Sequence, residues 1–304
     1  MIPAVASSSQ PCPICGHDGG APIILEQRID PARLGAFSYA SRKDPEFFCL
    51  RMAACPVCDT AFAVRPPAAA ELGRAYAAAG FDTADEEFSA AATYAGATDA
   101  WLAEGHGAAL EIGCGCGAFL PHLAKRGFSP VIGIEPSQAA VEAAAAETRP
   151  LIRRSAFSAD VFMPGTFSAI CCFQTLEHVP EPGRLVRDAC GLLHPGGLFL
   201  AVVHDRHAWI NRLLGRRSPI VDIEHLQLFT RRGITRLLVD GGLEVEGTWP
   251  IVNTYPLRYW LRLLPLPNGA KQTLLAVVRG LSLDGLNVAM PVGNLLAVGR
   301  KPRQ

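Results

Sequence analysis

The sequence predicts an α/β protein in which a mostly parallel sheet of seven strands carries helices on both faces. Two observations predict this class. Short apolar runs alternate with helix-like segments from residue 108 to residue 203, as they do when helices join parallel strands. Hydrophobic residues make up 49% of the chain and charged residues 18%, the composition of a protein with a large core. In such sheets the ligand binds at the carboxyl ends of the strands.

The first half of the sheet begins at residues 108–112, an apolar run that ends in glycines. Residues 118–126 have a helical pattern, and the next strand is predicted at 130–135. A helix follows at 137–147, where Ser137 is placed to cap the first turn. A short third strand precedes residue 156.

The second half consists of apolar strands separated by helices and turns. Helices are predicted at 184–193 and 231–240, and Thr230 can cap the second of them. The predicted strands are 167–173, 198–203, 243–249 and 294–298, with a turn at 194–197. The strand at 167–173 is expected to be buried.

Composition divides the chain into a small first part and a large second part. Residues 1–67 carry two cysteine pairs and end at Arg65 followed by two prolines, a natural boundary. Residues 68–304 contain the predicted sheet. Within them, residues 251–290 form an apolar insertion, rich in proline, leucine and arginine, before the last strand.

The first strand runs directly into a turn that contains Gly113, Gly115 and Gly117. Glycines let the backbone turn sharply and lie against a flat ligand without Cβ atoms in the way. Glu135, at the end of the second strand, is placed to accept hydrogen bonds from two ribose hydroxyls. A dinucleotide would suit the same glycines. Glu111, however, would repel a pyrophosphate and favours a ligand that carries an ammonium group.

Four segments resemble the successive motifs of class I S-adenosylmethionine-dependent methyltransferases in order and spacing: LEIGCGCG, GIEPS, FSAICCFQTLEHV and LLHPGGLFLAVV. The resemblance implies a Rossmann-like fold and S-adenosylmethionine as the methyl donor. It implies that Gly113, Gly115 and Gly117 line the methionine portion of the donor and that Glu135 binds its ribose. Glu111 would pair with the ammonium group, directly or through water.

The resemblance also implies where the rest of the donor lies. Ala156 and Phe157 fall near the adenine, in the loop after the short third strand. Asp160, the candidate for the adenine amino group, is displaced from the usual position. Gln174, at the end of the fourth strand, is placed to touch the methionine end.

Methyl transfer is an in-line displacement that requires alignment of donor and acceptor, and it is helped by removal of a proton from the acceptor. Histidine suits that proton transfer near neutral pH. His178 follows the fourth strand in a Leu-Glu-His triplet that is common in relatives acting on small molecules. The alternative is that His178 caps a helix or orients the backbone.

A second candidate is the segment EHLQLFT, which starts at Glu224 and precedes a helix. It resembles the segment that carries catalytic residues in sugar methyltransferases, where the histidine is the base and the glutamate lies beside it. The resemblance therefore implies catalytic roles for His225 and Glu224. The alternative is that His225 only positions the chain at the start of a helix. His204 and Asp205, after the fifth strand, are a third and less favoured candidate.

Two CxxC knuckles predict a structural zinc site in the first part of the chain. Cys12, Cys15, Cys55 and Cys58 can offer four thiolates to one tetrahedral Zn²⁺. The knuckles are farther apart than the usual ~15–20 residues, so a loop or hairpin must fill the gap. A redox role is the lesser alternative, because a redox pair needs no partner knuckle.

The function predicted from these motifs is methyl transfer to a small acceptor, most plausibly a nucleotide-linked sugar or glycan intermediate in polysaccharide or natural-product synthesis. The alternatives are a methyltransferase of RNA or protein, with the zinc module as docking element, and a non-catalytic protein that binds the donor. The formal net charge of +0 gives no basic field for phosphates, so no nucleic-acid partner is expected.

The chain is expected to be cytoplasmic, because its start has no secretory pattern and no apolar run reaches the ~20 residues that span a bilayer. Residues 255–267 mix aromatic, aliphatic and basic side chains. They are read either as a lipid or peripheral membrane contact, or as a helical pair that packs on the sheet edge or in a dimer, and the second reading is favoured. The oligomeric state stays open.

Overall fold

The computed structural model describes residues 6–40 and 44–303. The strands are β1 (Ser7–Ser8), β2 (Ala21–Leu25), β3 (Met52–Ala54), β4 (Ala61–Ala63), β5 (Ala108–Ile112), β6 (Val131–Ile134), β7 (Ile152–Arg153), β8 (Phe167–Phe173), β9 (Leu193–His204), β10 (Gln227–Leu228), β11 (Glu244–Pro256) and β12 (Asn287–Arg300). The α-helices are α1 (Ala69–Ala77), α2 (Ala84–Ala97), α3 (Asp99–Leu102), α4 (Leu120–Lys125), α5 (Gln138–Glu142), α6 (Pro182–Leu192), α7 (Trp209–Leu214), α8 (Arg231–Asp240), α9 (Leu257–Leu263) and α10 (Asn268–Gly280). Single 3-10 turns lie at Pro31–Arg33, Arg149–Leu151, Ala159–Val161 and Gly215–Arg217.

The large sheet has seven strands in the order β11-β12-β9-β8-β5-β6-β7. The strands from β9 to β7 are parallel to their neighbours, and β12 is antiparallel to both β9 and β11. This mixed sheet confirms the predicted Rossmann-like class. The chain passes from β5 to β6 on one side and later returns to β8 on the other. The carboxyl end of β5 is therefore the switch point at which such sheets bind ligands.

The central strands are buried on both faces, as their continuous apolar sequences require. Every residue of β8 is buried. Leu110 and Ile170 belong to the core cluster on one face, and Ala109 and Cys171 belong to the cluster on the other. Neighbours in each strand thus point to opposite helical layers, which is the pattern of a parallel sheet covered on both sides.

Two predicted helix caps are present. The Ser137 hydroxyl accepts a hydrogen bond from the Ala140 backbone N–H, and the Thr230 hydroxyl accepts one from the Gly233 N–H. Each cap satisfies a backbone donor that the first helical turn leaves unpaired. The helix after Ser137 is shorter than the predicted 137–147, because α5 ends at Glu142.

Three strands extend beyond their predicted bounds. β9 begins at Leu193, so it includes residues 194–197 that were predicted to be a turn; Gly196 there donates its N–H to the Lys301 carbonyl. β11 continues to Pro256 and β12 starts at Asn287. The predicted insertion at 251–290 therefore begins and ends as a long hairpin, and its helices lie between those strands.

Residues 255–267 pack against the body of the protein. Tyr259 and Trp260 are buried, and the Trp260 indole N–H donates to the Val288 carbonyl at 2.9 Å. Arg262 forms an ion pair with Asp44 at 2.8 Å. These contacts agree with the packing interpretation of this segment, because its largest aromatic side chains are not presented to a lipid surface.

Within residues 6–40 and 44–303, no helix combines the length and the apolarity needed to cross a bilayer.

The cysteine-bearing part forms a second, small sheet in the order β1-β2-β3-β4-β10. Its last strand does not come from the first 67 residues. β10 follows β4 by more than 160 residues and pairs with it antiparallel, with Gln227 opposite Phe62 and Leu228 opposite Ala61. The cysteine module is thus joined to the large domain by backbone hydrogen bonds as well as by side-chain packing.

Replacing Gly293 by alanine is expected to destabilise the fold. Gly293 has a φ of +90°, and a Cβ built there would lie 2.2 Å from the Cβ of Ala208. Both atoms are fixed to the backbone, so the strand and the start of α7 would have to separate. We expect Gly293→Ala to lower the free energy of unfolding by about 2–3 kcal/mol, measured by urea denaturation.

The matched control is Gly96→Ala in α2, where a Cβ would meet nothing within 4 Å. Removing a helical glycine should leave the free energy of unfolding unchanged or raise it by up to about 1 kcal/mol. Equal effects of the two substitutions would contradict the packing described for Gly293.

Candidate active site

A single cavity of about 1160 Å³ opens at the carboxyl ends of β5, β6, β8 and β9. It contains most of the predicted donor-binding residues and all the predicted catalytic residues. Those that line it are Glu111, Gly113, Gly115, Glu135, Ala156, Phe157, Gln174, His178, Glu224 and His225. Gly117 does not line the cavity. A Cβ on Gly117 would instead meet Thr148 and Ile152 in the core, so this glycine serves the packing of the turn.

The glycine turn after β5 is a close-fitting cradle. Gly113 and Gly115 have φ values of +74° and +54°, which other residues adopt only with strain. A Cβ on Gly113 would lie 2.3 Å from the Thr175 hydroxyl, and one on Gly115 would lie 2.3 Å from a carboxylate oxygen of Glu87. Both positions therefore need glycine for conformation, and Gly113 needs it for space as well, whereas a Cβ at Gly115 would displace the Glu87 carboxylate.

The Glu135 carboxylate ties the ends of β5 and β6 together. Its Oε2 accepts from the Gly115 N–H at 2.9 Å, and its Oε1 accepts from the Ser137 N–H at 2.7 Å. Burial raises the pKa of Glu135 to about 7, although these two hydrogen bonds lower it. The carboxylate is therefore held in one orientation at the cavity wall, where its remaining lone pairs suit hydroxyl donors.

Gln174 marks the methionine end of the predicted donor site. It has a φ of +50°, rare for a residue with a side chain, at the point where the chain leaves β8. Its side-chain Nε2 is buried and lacks a hydrogen-bond partner within the described part of the chain. A buried amide donor of this kind is costly unless a ligand acceptor, such as a carboxylate, pairs with it.

Ala156 and Phe157, the residues predicted to lie near the adenine, line the cavity. Asp160 lies outside the cavity lining, in a 3-10 turn where its carboxylate accepts from the Ser158 hydroxyl. The residues present thus fit S-adenosylmethionine: an apolar adenine end, an acidic side chain for the ribose and a glycine cradle with a buried amide for the methionine.

Glu87, in α2, was not predicted from the sequence. Its carboxylate accepts from the Cys116 N–H at 2.9 Å, and it lines the cavity beside Gly115. Glu87 precedes Leu110, the first residue of the motifs, by 23 residues, and its helix carries an acidic run at its start. That acidic run was the one feature of the sequence that could have indicated a role for Glu87. It is explained equally well by the favourable effect of negative charge at a helix N-terminus.

The cavity lining also contains a cluster of three histidines. The rings of His178 and His225 are 4.9 Å apart, and those of His204 and His225 are 5.3 Å apart. The three come from separate segments: one after β8, one at the end of β9 and one just before β10. The structure therefore brings together the two favoured candidates and also His204, which the sequence disfavoured.

The hydrogen bonds of His225 and His178 fix their tautomers. His225 Nδ1 lies 2.9 Å from the Ile220 carbonyl, and His178 Nδ1 lies 3.1 Å from the Glu224 carbonyl. A carbonyl only accepts hydrogen bonds, so each neutral ring carries its proton on Nδ1 and its lone pair on Nε2. That is the tautomer a general base requires if Nε2 faces the acceptor.

Tyr76, in α1, completes the surroundings of His178. Its hydroxyl donates to the Glu224 carbonyl at 3.0 Å and lies 3.1 Å from His178 Nδ1. Burial raises the pKa of Tyr76 well above its ordinary value, with the charge of Glu224 adding to the effect. The hydroxyl therefore stays neutral and serves as a hydrogen-bond donor. A Glu224 carboxylate oxygen lies 3.8 Å from His178 Nδ1, close enough to stabilise a protonated ring.

His204 is held by an amide pair that the sequence did not suggest. Its Nδ1 lies 2.8 Å from Asn294 Oδ1, and Asn294 Nδ2 donates to Asn253 Oδ1 at 3.1 Å. Asn294 therefore presents its oxygen, and the His204 proton also belongs on Nδ1. The His204 backbone N–H donates to the Glu177 carboxyl at 2.7 Å, and burial raises the pKa of Glu177 to about 8.

The walls around the histidines are mainly aromatic and aliphatic. They include Tyr39, Tyr255, Tyr259, Trp260, Leu263 and Met290. Among the described residues that line the cavity, the cationic side chains are Arg74 and Arg154. Arg212, Arg216 and Arg217 are exposed and do not line it.

The four predicted zinc ligands converge. Cys12 Sγ is 3.6 Å from Cys58 Sγ, Cys15 Sγ is 3.6 Å from Cys55 Sγ, and all four atoms lie within 4.8 Å of one another. A tetrahedral Zn²⁺ with bonds of about 2.3 Å needs sulfur atoms about 3.8 Å apart. The residues present thus fit a structural Zn²⁺.

The turns of the two knuckles are alike. The N–H of Gly16 donates to the Cys12 carbonyl, and the N–H of Asp59 donates to the Cys55 carbonyl, both at 2.9 Å. Gly16 and Asp59 have positive φ values of 71° and 63°. Cys49 is buried elsewhere, where its thiol donates to the Glu26 carbonyl, so it is not part of the cluster.

We expect the protein purified without chelators to carry about one Zn²⁺ per chain and Cys58→Ser to lose it, because the loss of one thiolate opens the tetrahedron. The variant should also melt at a lower temperature. Metal content by mass spectrometry and thermal unfolding measure the two effects. Cys190→Ser, at a cysteine outside the cluster, should match wild type. Retention of zinc by Cys58→Ser would contradict the assignment.

Known proteins were compared with this chain. The family described as "Methyltransferase domain" matches residues 70–247, more than half of the chain. The Ubiquinone biosynthesis O-methyltransferase of Leptothrix cholodnii is 26% identical over 167 residues, which are 50% of this chain and 71% of that protein. The protein of the same name from Pseudomonas aeruginosa strain LESB58 is 34% identical over 115 residues, 34% of this chain, so the match spans 49% of that relative's length.

Solved structures show the same fold. A Bacillus halodurans C-125 protein described as a methyltransferase has a TM-score of 0.50 at 18% identity, over 68% of this chain and 98% of that one. The YcgJ protein of Bacillus subtilis has a TM-score of 0.50 at 16% identity, over 69% of this chain and 99% of that one. With the family match over residues 70–247 and the donor-shaped cavity, these findings lead to one conclusion: the chain belongs to the methyltransferase domain family and is a class I S-adenosylmethionine-dependent methyltransferase.

Proposed function

We propose that this enzyme methylates a hydroxyl oxygen of a small, largely apolar acceptor and that His178 is the general base. The proposal is carried by one observation: a single cavity joins the donor cradle to a cluster of three histidines inside apolar walls. A hydroxyl oxygen becomes a much better nucleophile as its proton leaves, and neutral histidine is suited to take that proton.

Each part of the cavity has a role in this reaction. S-adenosylmethionine, when bound, supplies an electrophilic methyl group on a positively charged sulfur. Gly113, Gly115, Glu135 and Gln174 would hold the donor, with Glu111 near its ammonium group. The aromatic walls would exclude water and orient the acceptor oxygen toward the methionine end, which lowers the barrier through proximity and alignment.

His178 is proposed as the base because a carboxylate lies beside its ring. When Nε2 takes a proton, the positive charge is stabilised by Glu224, whose carboxylate lies 3.8 Å from Nδ1. Tyr76 keeps the ring oriented through its hydroxyl. His225 lies against the same ring and would act as a second proton acceptor, with its own Nδ1 held by the Ile220 carbonyl.

The cavity walls favour an aromatic or other apolar acceptor that carries an acidic hydroxyl. The printed name of the curated relatives, ubiquinone biosynthesis O-methyltransferase, agrees with transfer to oxygen. A nucleotide-linked sugar or glycan intermediate is the second candidate, supported by the Glu224-His225 segment and by Arg74 and Arg154 in the lining. Its diphosphate would need more cationic partners than these two.

Donor binding should depend on the charge of Glu135. Its folded-state pKa of about 7 lies above the ordinary value, so the carboxyl group becomes protonated as pH falls through 7. Hydroxyls of a ribose bind the carboxylate better than the neutral acid. We therefore expect calorimetry to give an affinity for S-adenosylmethionine that is constant above pH 8, falls as the pH drops below 7, and levels off about 10- to 100-fold lower where the neutral acid predominates.

In Glu135→Gln the pH dependence of donor affinity should disappear. The affinity at pH 8 should fall by about 10- to 100-fold, which corresponds to the loss of one charge-assisted hydrogen bond. Glu142→Gln, at an exposed carboxylate on α5, should behave as wild type. Wild-type affinity in Glu135→Gln would refute the assigned donor site.

The base assignment predicts the effect of replacing His178. With an acceptor found by screening phenolic compounds, nucleotide sugars and glycans, His178→Gln should lower kcat by about 10²- to 10⁴-fold, because the proton acceptor is lost. His225→Gln should lower it less, and the donor Kd should stay within twofold in both. Tyr76→Phe should give a smaller loss.

His106→Gln, at an exposed histidine far from the cavity lining, is the control. Full activity in a protein carrying both His178→Gln and His225→Gln would exclude the proposed base. Methylation of RNA or protein in preference to every small acceptor would favour the macromolecular alternative. Donor binding without transfer to any acceptor would favour the non-catalytic one.

A further inference from the structure

The second cysteine knuckle lies directly against the two chain segments that carry His204 and His225. β4 follows Cys58 by three residues and pairs with β10, which follows His225 by two. The Ala63 N–H donates to the Leu226 carbonyl at 2.8 Å, on the residue next to His225. On its other side, the Leu226 N–H donates to the Glu177 carbonyl at 2.7 Å. The backbone beside His225 is therefore clamped between the module and the segment that carries His178.

A second connection runs through Asp59, the residue after Cys58. Its Oδ1 accepts from Arg206 Nη2 at 2.8 Å, and its backbone carbonyl accepts from Arg206 Nε at 3.1 Å. Arg206 is largely buried, with 19% of its side chain exposed. An arginine held at two nitrogen atoms by one residue has a defined position, which a solvated surface pair lacks.

Arg206 is in turn bonded to the segment that follows His225. The backbone N–H of Arg206 donates to the Phe229 carbonyl at 2.9 Å. Asp205 and Phe229 also form an isolated parallel bridge. His204 precedes Arg206 by two residues at the end of β9. One knuckle thus contacts the ends of both segments that present acceptor-side histidines.

The donor side is fixed by other groups. Gly115 is bonded to Glu135, and Cys116 is bonded to Glu87. These bonds join β5, β6 and α2 and do not pass through the knuckle. A change in the knuckle should therefore affect the two ends of the cavity unequally.

We infer that Asp59 and Arg206 are positioning residues for methyl transfer: the metal-bound knuckle fixes Asp59, and the Asp59–Arg206 pair sets the spacing of His204 and His225 at the acceptor end. Neither residue touches the donor or the reacting atoms. The inference rests on the proposed function for the identity of the histidines as acceptor-side groups. Misplacement of such groups by about 1 Å costs about 10²-fold in rate, so a clamp of this kind matters for catalysis.

The test uses the full-length, zinc-loaded protein and Asp59→Asn. Asparagine tolerates a positive φ as aspartate does, so the substitution removes the charge without straining the turn. Hydrogen-exchange mass spectrometry should give faster exchange in peptides covering 203–207 and 222–230. Exchange in 110–117, S-adenosylmethionine affinity and zinc content should match wild type.

With a working acceptor, Asp59→Asn should lower kcat by at least tenfold while the donor Kd stays within twofold. Arg206→Lys in otherwise wild-type protein should lower kcat less than Asp59→Asn does, since it keeps the charge but gives up one of the two bonds. In zinc-depleted protein, Asp59→Asn should cause little further loss of kcat, because the turn that holds Asp59 is already loose without the metal. The matched control is Asp99→Asn, which breaks the Arg126–Asp99 pair, also 2.8 Å long with a largely buried arginine.

The outcomes separate this inference from the proposed function. Faster hydrogen exchange throughout Asp59→Asn, or an equal loss of donor affinity and kcat, would mean that the Asp59–Arg206 pair only stabilises the fold. Either result would overturn the inference. Unchanged exchange at 203–207 and 222–230 would overturn it as well. If His178→Gln and His225→Gln stay active while Asp59→Asn still gives the local exchange pattern and lowers kcat, the base assignment fails and the positioning role stands.

Discussion

The donor half of the enzyme depends on the two backbone hydrogen bonds that the Glu135 carboxylate accepts. The chain must leave β5 through glycines with positive φ, and such a turn has little conformational preference of its own. By accepting from Gly115 and Ser137, Glu135 fixes that turn to the start of the next helix. The same carboxylate then faces the cavity. In the proposed mode of donor binding, the group that organises the turn is already oriented for the ribose, so little reorganisation is expected on binding.

The acceptor half is built differently. Its histidines come from three separate segments, and hydrogen bonds hold the rings: His178 contacts the Glu224 carbonyl, His225 the Ile220 carbonyl of its own loop, and His204 the Asn294 side chain. The walls come from α1, the α9 region and the final hairpin. The parts of the chain that differ most from a minimal sheet, the cysteine module and the long β11–β12 hairpin, are those that shape the acceptor end. This division suits a family in which the donor is constant and the acceptor varies.

The sequence predicted what depends on local pattern. The sheet and the caps at Ser137 and Thr230 follow from periodicity and from turn chemistry, and contiguous motifs contain Gly113, Gly115 and Gln174, which line the cavity. The pairing of His204 with Asn294 and the contact of Glu87 with the glycine turn depend on tertiary packing, and no short-range signal reports them. The β10 strand was missed because two residues cannot show a period. The sugar acceptor was inferred from a motif, whereas the apolar character of the cavity arises from side chains that only the fold assembles.

The pairing of β4 with β10 has a consequence for the way the protein is made. When the ribosome has synthesised the cysteine module, the strand that completes its sheet is still more than 160 residues from being translated. Until then the backbone groups along one edge of β4 lack their strand partner, and such an edge can pair with strands of other chains. The cysteine module therefore completes its sheet only after β10 has been translated, and shielding of the β4 edge during synthesis is expected to affect the yield in a cell.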